Sequence, residues 1–119
     1  MNSSQLKNRT KKYSITILDL VEKLPNTISG RAVSNQIVRS GTSVGANYRA
    51  VCRARSDREF ISKLSIVIEE SDETLFWLEI ILEKGWLNNS QIDFIWKEGN
   101  ELTAIFVSTM KTIKERVLE

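Results

Sequence analysis

The sequence predicts an all-α fold, an antiparallel up-down-up-down four-helix bundle, with residues 1–119 forming one domain. Three observations predict it. Apolar residues recur at three- and four-residue steps through four long segments. One proline and five glycines are too few to turn a set of short strands. The segments are joined by short connections, and short connections between long helices make sequence neighbours antiparallel neighbours.

The first helix is expected from about Ser3 to Leu24, with Leu6, Tyr13, Ile17, Leu20 and Leu24 on one face. Pro25 ends it, because the residue before a proline is pushed out of the helical region. The second is expected from about Gly30 to Arg55, after a loop at Asn26–Ser29 that offers N-caps. Its inward stripe is expected to be small and polar: Ala32, Gln36, Arg39 or Ser40, Ser43, Asn47, Ala50 and Ala54. Val33, Ile37, Val44, Tyr48 and Val51 fall on neighbouring faces. Gly41 and Gly45 each cost helicity, about 1 kcal/mol relative to alanine, and their spacing suits two helices in close approach.

The third helix, about Asp57 to Lys84, opens with Ser56 as N-cap and Glu59 as its capping-box partner, and Gly85 closes it. Its stripe is Phe60, Leu64, Val67, Thr74, Leu78, Ile81 and Leu82, interrupted at Ser71. The fourth starts near Asn89–Ser90, with Ser90 as cap. It carries Ile92, Ile95, Gly99, Leu102, Phe106, Met110, Ile113 and Val117 almost to Glu119.

With 41% hydrophobic and 27% charged residues, the chain has the composition of a folded protein. It has no histidine and one cysteine, Cys52. Zinc sites, Ser-His-Asp triads and histidine bases are therefore excluded, as are di-iron bundles that need Glu-x-x-His pairs. No catalytic residue, metal or cofactor is expected, and the chain reads as non-enzymatic. Apolar clusters such as Leu75–Leu78 and Ile80–Leu82 fall well short of the roughly 20 residues that span a bilayer. The basic N-terminus is followed by no signal-type apolar run. A cytoplasmic, bacterial protein without membrane contact is the expectation. Trp77 lies off the main stripe of its helix, and a second apolar face suits an oligomer.

Charge is divided unequally along the chain. Residues 1–58 hold eleven cations and three carboxylates, for +8, whereas residues 59–119 sum to −6. This has two readings. Basic helices one and two can pair with acidic helices three and four, in one bundle or between subunits. Alternatively, Lys7, Lys11 and Lys12 at the start of helix one and Arg49, Arg53, Arg55 and Arg58 around the end of helix two form a phosphate-binding patch. An antiparallel hairpin puts those two ends together, and arginine suits bidentate phosphate contact. A second constellation is the polar stripe of helix two. Gln36, Arg39, Ser40, Ser43 and Asn47, answered by Glu69, Glu70 and Glu73 of helix three, are expected to form a polar network that fixes bundle register or lies at a subunit contact.

The run Gln36-Ile-Val-Arg-Ser-Gly-Thr-Ser-Val-Gly-Ala-Asn-Tyr-Arg-Ala50, then Arg55-Ser-Asp-Arg-Glu-Phe60 and the Glu69–Trp77 stretch, resembles the four-helix bundle proteins of 23S ribosomal RNA intervening sequences. Leu24-Pro25 at the end of helix one fits the same pattern. The family's commoner motif, Ser-Ile-x-x-Asn-Ile-Ala-Glu-Gly, appears here as Ser43-Val-Gly-Ala-Asn-Tyr-Arg-Ala-Val51, so its Glu-Gly pair is absent. The resemblance implies an antiparallel bundle assembling into a ring-like homopentamer. It also implies kinship with the accessory variability determinant of diversity-generating retroelements, a basic barrel that binds nucleic acid and a reverse transcriptase. Two functions follow as expectations. One is a self-assembling bundle that contacts RNA or DNA through helices one and two. The other is a protein-interaction adaptor or scaffold, such as a reverse-transcriptase accessory subunit, whose basic patch meets an acidic partner.

Overall fold

The computed structural model describes residues 1–118. Its secondary structure is four helices: α1 (Ser3–Val21), α2 (Ile28–Cys52), α3 (Asp57–Glu83) and α4 (Asn89–Leu118), with no strand among the described residues. They pack into a body 51 Å long and 22 Å across. Each helix packs against the next in sequence, and α4 returns to α1 through the lightest of the four contacts.

The ends are set by side chains close to the expected positions. Asn2 and Gln5 exchange reciprocal side-chain-to-backbone hydrogen bonds of 2.8 and 2.9 Å, a capping box that starts α1. Thr27 caps α2 through the Gly30 amide at 3.1 Å. Ser56 caps α3 through the Glu59 amide at 3.1 Å, but the Glu59 carboxylate pairs with Lys63 and does not close a box. Gly85, at φ +69°, ends α3 in the left-handed conformation that favours glycine. The cap of α4 is Asn88 and not Ser90. The Asn88 carboxamide oxygen accepts both the Gln91 amide at 3.0 Å and the Ser90 hydroxyl at 2.8 Å. The expected end of α4 at Glu119 lies outside the described residues.

The apolar stripes of α1 and α4 are buried as expected, apart from half-buried Leu24 and exposed Val117. In α3, Phe60 is half-buried and Leu82 exposed. Ser71 does not interrupt the stripe: it is fully buried, with its hydroxyl 2.6 Å from that of Thr103. Helix α2 corrects the sequence reading. Its buried face is Val33, Ile37, Ser40, Gly41, Val44, Gly45, Tyr48 and Val51, while Ala32, Gln36 and Arg39 are exposed and Ser43, Asn47, Ala50 and Ala54 half-buried. Burying a valine or isoleucine is worth about 1.5–3 kcal/mol, whereas burying Arg39 would cost several. The aliphatic face therefore turns inward, and the polar stripe lies beside it.

Glycines set how closely α2 meets α1. A Cβ at Gly41 would sit 3.0 Å from Ile17, and one at Gly45 3.2 Å from the Thr10 carbonyl oxygen. The Ser14 hydroxyl donates to the Gly41 carbonyl at 3.1 Å, a bond that crosses the two helices. Along the other seam, Trp96 meets Glu79, Gly99 meets Leu75, Thr103 meets Ser71 and Arg116 meets Asp57. Among the described residues no helix is long and apolar enough to cross a membrane.

Candidate nucleic-acid interface

The close approach at Gly45 leaves a groove of about 490 Å³ along the α1–α2 seam. Lys7 and Lys11, one helical turn apart, line its α1 wall, and Arg49 lines its α2 wall. Its remaining lining is short or weakly polar: Ser4, Asn8, Ser14, Ile15, Thr42, Gly45 and Ala46. Lys12 lies round the other side of α1, in a shallower depression with Asn8, Arg9, Lys11 and Ile15. Arg53 is the C-cap of α2, Arg55 stands in the α2–α3 turn and Arg58 follows in the first turn of α3; all three are exposed. A cation at a helix C-terminus, such as Arg49 or Arg53, is favoured by the helix dipole, whereas one in a first turn, such as Arg58, is not.

The ion pairs divide the cations into two groups. Arg9 is held between Glu98 at 2.7 Å and Glu101 at 3.0 Å, clamping α1 to α4. The hydrogen bonds that Arg9 donates to Glu98 outweigh burial and raise the Arg9 pKa further. Arg39 is held between Glu70 at 3.0 Å and Glu73, tying α2 to α3. In contrast, among the described residues none of Lys7, Lys11, Lys12, Arg49, Arg53, Arg55 and Arg58 lies within 4.0 Å of a carboxylate. Internal pairing therefore holds three arginines, Arg9, Arg39 and, through Asp57, Arg116, and leaves the seven patch residues unmatched.

The fold also redistributes the charge that the sequence divides at residue 58. Arg116 pairs with Asp57 at 2.7 Å and brings the last turns of α4 beside the start of α3. Lys111 and Lys114 consequently join the end of the molecule that holds the α2–α3 turn. The basic character belongs to one end of the long axis and not to the first half of the chain. Sequence reasoning missed these two lysines; the signal was available in the short α3–α4 connection.

The polar network takes a different form from the one expected. Glu73 accepts from Arg39 and from the Trp77 indole at 3.3 Å, and Glu70 takes the second place at Arg39. Ser43 donates to the Arg39 carbonyl at 2.6 Å and Asn47 to the Ser43 carbonyl at 2.8 Å, both within α2. Gln36 and Glu69 are exposed and stand outside this cluster. Buried polar contact between helices is made by Ser40 of the expected stripe, with Thr74 at 2.9 Å, and by Ser71 with Thr103. The rotation of α2 described above is the cause.

The family model of the 23S rRNA-intervening sequence protein matches residues 2–108. Among solved structures, the chain is similar to a protein of unknown function from the S23 ribosomal protein family of Bacteroides thetaiotaomicron, determined at 1.70 Å resolution. The two share 32% identity with a TM-score of 0.85, over 93% of this chain and 99% of that one. No curated protein matches the chain.

Proposed function

This chain belongs to the family of 23S rRNA-intervening sequence proteins, and from that premise we propose that it is a non-enzymatic, self-assembling bundle of the cytoplasm that contacts RNA or DNA through its basic α1–α2 face. The observation that carries the reading is the unmatched set of seven cations beside two arginines that are each matched by two carboxylates. Stability alone explains Arg9 and Arg39. It does not explain Arg58 in the first turn of a helix, or Lys7, Lys11 and Arg49 gathered round one groove.

The contact is phosphate-directed. Lys7 and Lys11 are separated by about 6 Å along α1, at 1.5 Å per residue, and Arg49 and Arg53 by the same rise along α2. Two such pairs follow the backbone of a strand and read no base edge, so sequence preference is weak and salt dependence steep. An up-down-up-down antiparallel topology underlies the placement. It is supported by the register of contacts, in which Thr10 meets Gly45 and Ile17 meets Gly41 while Glu79 meets Trp96 and Asp57 meets Arg116. Assembly, five copies by family resemblance, would repeat the basic face around a ring. The test is titration of labelled RNA and DNA at low and moderate salt. Salt-sensitive binding supports the reading, and no binding at low ionic strength refutes it.

A further inference from the structure

Among the described residues three arginines join different helices through carboxylates, and one of them is held differently. Arg9 grips two glutamates with its side chain 18% exposed, and Arg39 grips two more. Arg116 meets one carboxylate, Asp57, through one nitrogen at 2.7 Å, and the two side chains are 65% and 51% exposed. A guanidinium has five N–H donors, so most of those on Arg116 remain open. An exposed pair with a single contact contributes little to stability. Clamping α4 to α3 is therefore a weak account of Arg116.

The pair stands at a hollow of about 280 Å³ between the first turn of α3 and the last turns of α4. Phe60, Ser108, Thr109, Thr112, Ile113 and Arg116 line it. Ile113 is buried and Phe60 half-buried, so the floor is apolar, and the remaining lining is three hydroxyls and the guanidinium. Thr109 and Thr112 already donate to carbonyls within α4, which leaves Ser108 and Arg116 as the donors for an anion. Hydroxyls and guanidinium groups are what phosphate and sugar meet in nucleic-acid complexes. The surroundings are basic. Arg55 and Arg58 stand close to Asp57 in sequence, and Lys111 and Lys114 lie on the same turns of α4 as the hollow; all four are exposed. None of the four has a carboxylate within 4.0 Å among the described residues. The other carboxylates here are Glu59, paired with Lys63, and Glu115, which is exposed and holds no cation.

We propose that this hollow is a second phosphate site for nucleic acid, in which Asp57 holds the place on Arg116 that a backbone phosphate takes on binding. Arginine receives carboxylate and phosphate with the same planar fork, so one can replace the other. The four unmatched cations nearby draw a phosphate in and give Asp57 no comparable support. Arg116 is thereby a latent member of the basic patch, and Asp57 is its built-in competitor. The α1–α2 groove reaches the same end of the molecule, where Ser4 and Arg49 line it. The body is 22 Å across, about six or seven nucleotides of a duplex strand at 3.4 Å each. One short duplex therefore spans groove and hollow across the end of the bundle. The inference rests on the nucleic-acid reading above and adds a site to it.

The test is fluorescence anisotropy of a labelled DNA duplex with the full chain between 50 and 200 mM salt, with circular dichroism to confirm that each variant folds. Arg116→Ala should flatten the slope of log affinity against log salt by about 0.9, so that the advantage of wild type shrinks about 3.5-fold over that range. Thr112→Trp fills the hollow, leaves every charge in place, and should flatten the slope equally. Asp57→Asn should tighten binding by about threefold more than Glu115→Gln, the worth of an exposed ion pair, although both remove one charge from the same end. A wild-type slope in Arg116→Ala or in Thr112→Trp, or equal gains from Asp57→Asn and Glu115→Gln, overturns the site. The nucleic-acid reading survives that result if replacing Arg49, Arg53 and Arg55 still flattens the slope. Wild type without salt-sensitive binding overturns the reading and the site together.

Discussion

Replacing Arg49, Arg53 and Arg55 together by alanine separates a phosphate-binding patch from a merely basic surface. None of the three pairs with a carboxylate among the described residues, so the fold loses no internal ion pair with them. Each phosphate contact contributes about 0.9 to the slope of log affinity against log salt on duplex DNA. Removing three contacts should therefore reduce the slope by about 2.7. Between 50 and 200 mM salt, the advantage of wild type over the triple variant should shrink about 40-fold on that slope. The assay is fluorescence anisotropy of a labelled duplex across four salt concentrations, with circular dichroism as a check on the fold. Arg39→Ala is the contrasting control: its guanidinium is already held by Glu70 and Glu73, so the slope should be unchanged. A triple variant with the wild-type slope, or an Arg39 variant that loses as much, would refute the reasoning.

Four further outcomes follow from packing and titration. A Cβ at Gly30 would lie 2.0 Å from the Pro25 carbonyl oxygen; because that is backbone, Gly30→Ala should lower the thermal midpoint despite alanine's higher helix propensity, by about 1–3 kcal/mol of stability or more. A Cβ at Gly99 would lie 2.4 Å from the Tyr13 hydroxyl, which is buried without a hydrogen-bond partner. Gly99→Ala should therefore destabilise, and Tyr13→Phe, itself neutral or stabilising by up to about 1 kcal/mol, should lessen that loss in a double-mutant cycle read by urea unfolding. Burial, with a smaller contribution from Glu98, raises the Tyr13 pKa. The folded state then holds the phenolic proton more tightly than the unfolded state. Stability is intact below about pH 10, the ordinary tyrosine value, and is lost as pH rises beyond it. Tyr13→Phe should flatten that loss in unfolding curves taken between pH 9 and 11. Asn88→Ala should cost about 1 kcal/mol as the loss of an N-cap, and Ser90→Ala distinctly less; equal effects in chemical denaturation would contradict the assignment of the α4 cap.

The helices that were easiest to read are those with a single apolar stripe. In α4 nothing competes with the series from Ile92 to Ile113, and in α1 nothing competes with Leu6 to Leu20. Helix α2 offers two stripes of equal period, one aliphatic and one small and polar. Periodicity alone does not choose between them; the cost of burying Arg39 does. The same limit governs the site. Lys7, Lys11 and Arg49 were legible as neighbours because a hairpin requires it, but Lys111 and Lys114 join them only through the return of α4 along α3. That Arg9 belongs to a clamp and not to the patch was not legible, since its partners Glu98 and Glu101 are about ninety residues away in sequence. The caps divide in the same way: Ser56 could be read from spacing, whereas Asn88 and Ser90 both suit the role until the carboxamide is seen accepting the amide.

The seam between α1 and α4 is the most lightly packed of the four, and it joins the first and last helices of the chain. No covalent connection reinforces it, unlike the three seams that follow a turn, so the closed cylinder depends there on Arg9 with its two glutamates and on the packing of Tyr13 against Gly99. Local opening of the fold is cheapest where packing is thinnest. A transient parting along this line would swing the hairpin of α1 and α2 away from α3 and α4, carrying the groove cations with it as one body because Gly41 and Gly45 lock those two helices together. The molecule's joint and its rigid part are thus set by separate small features, an arginine clamp on one side and a pair of glycines on the other.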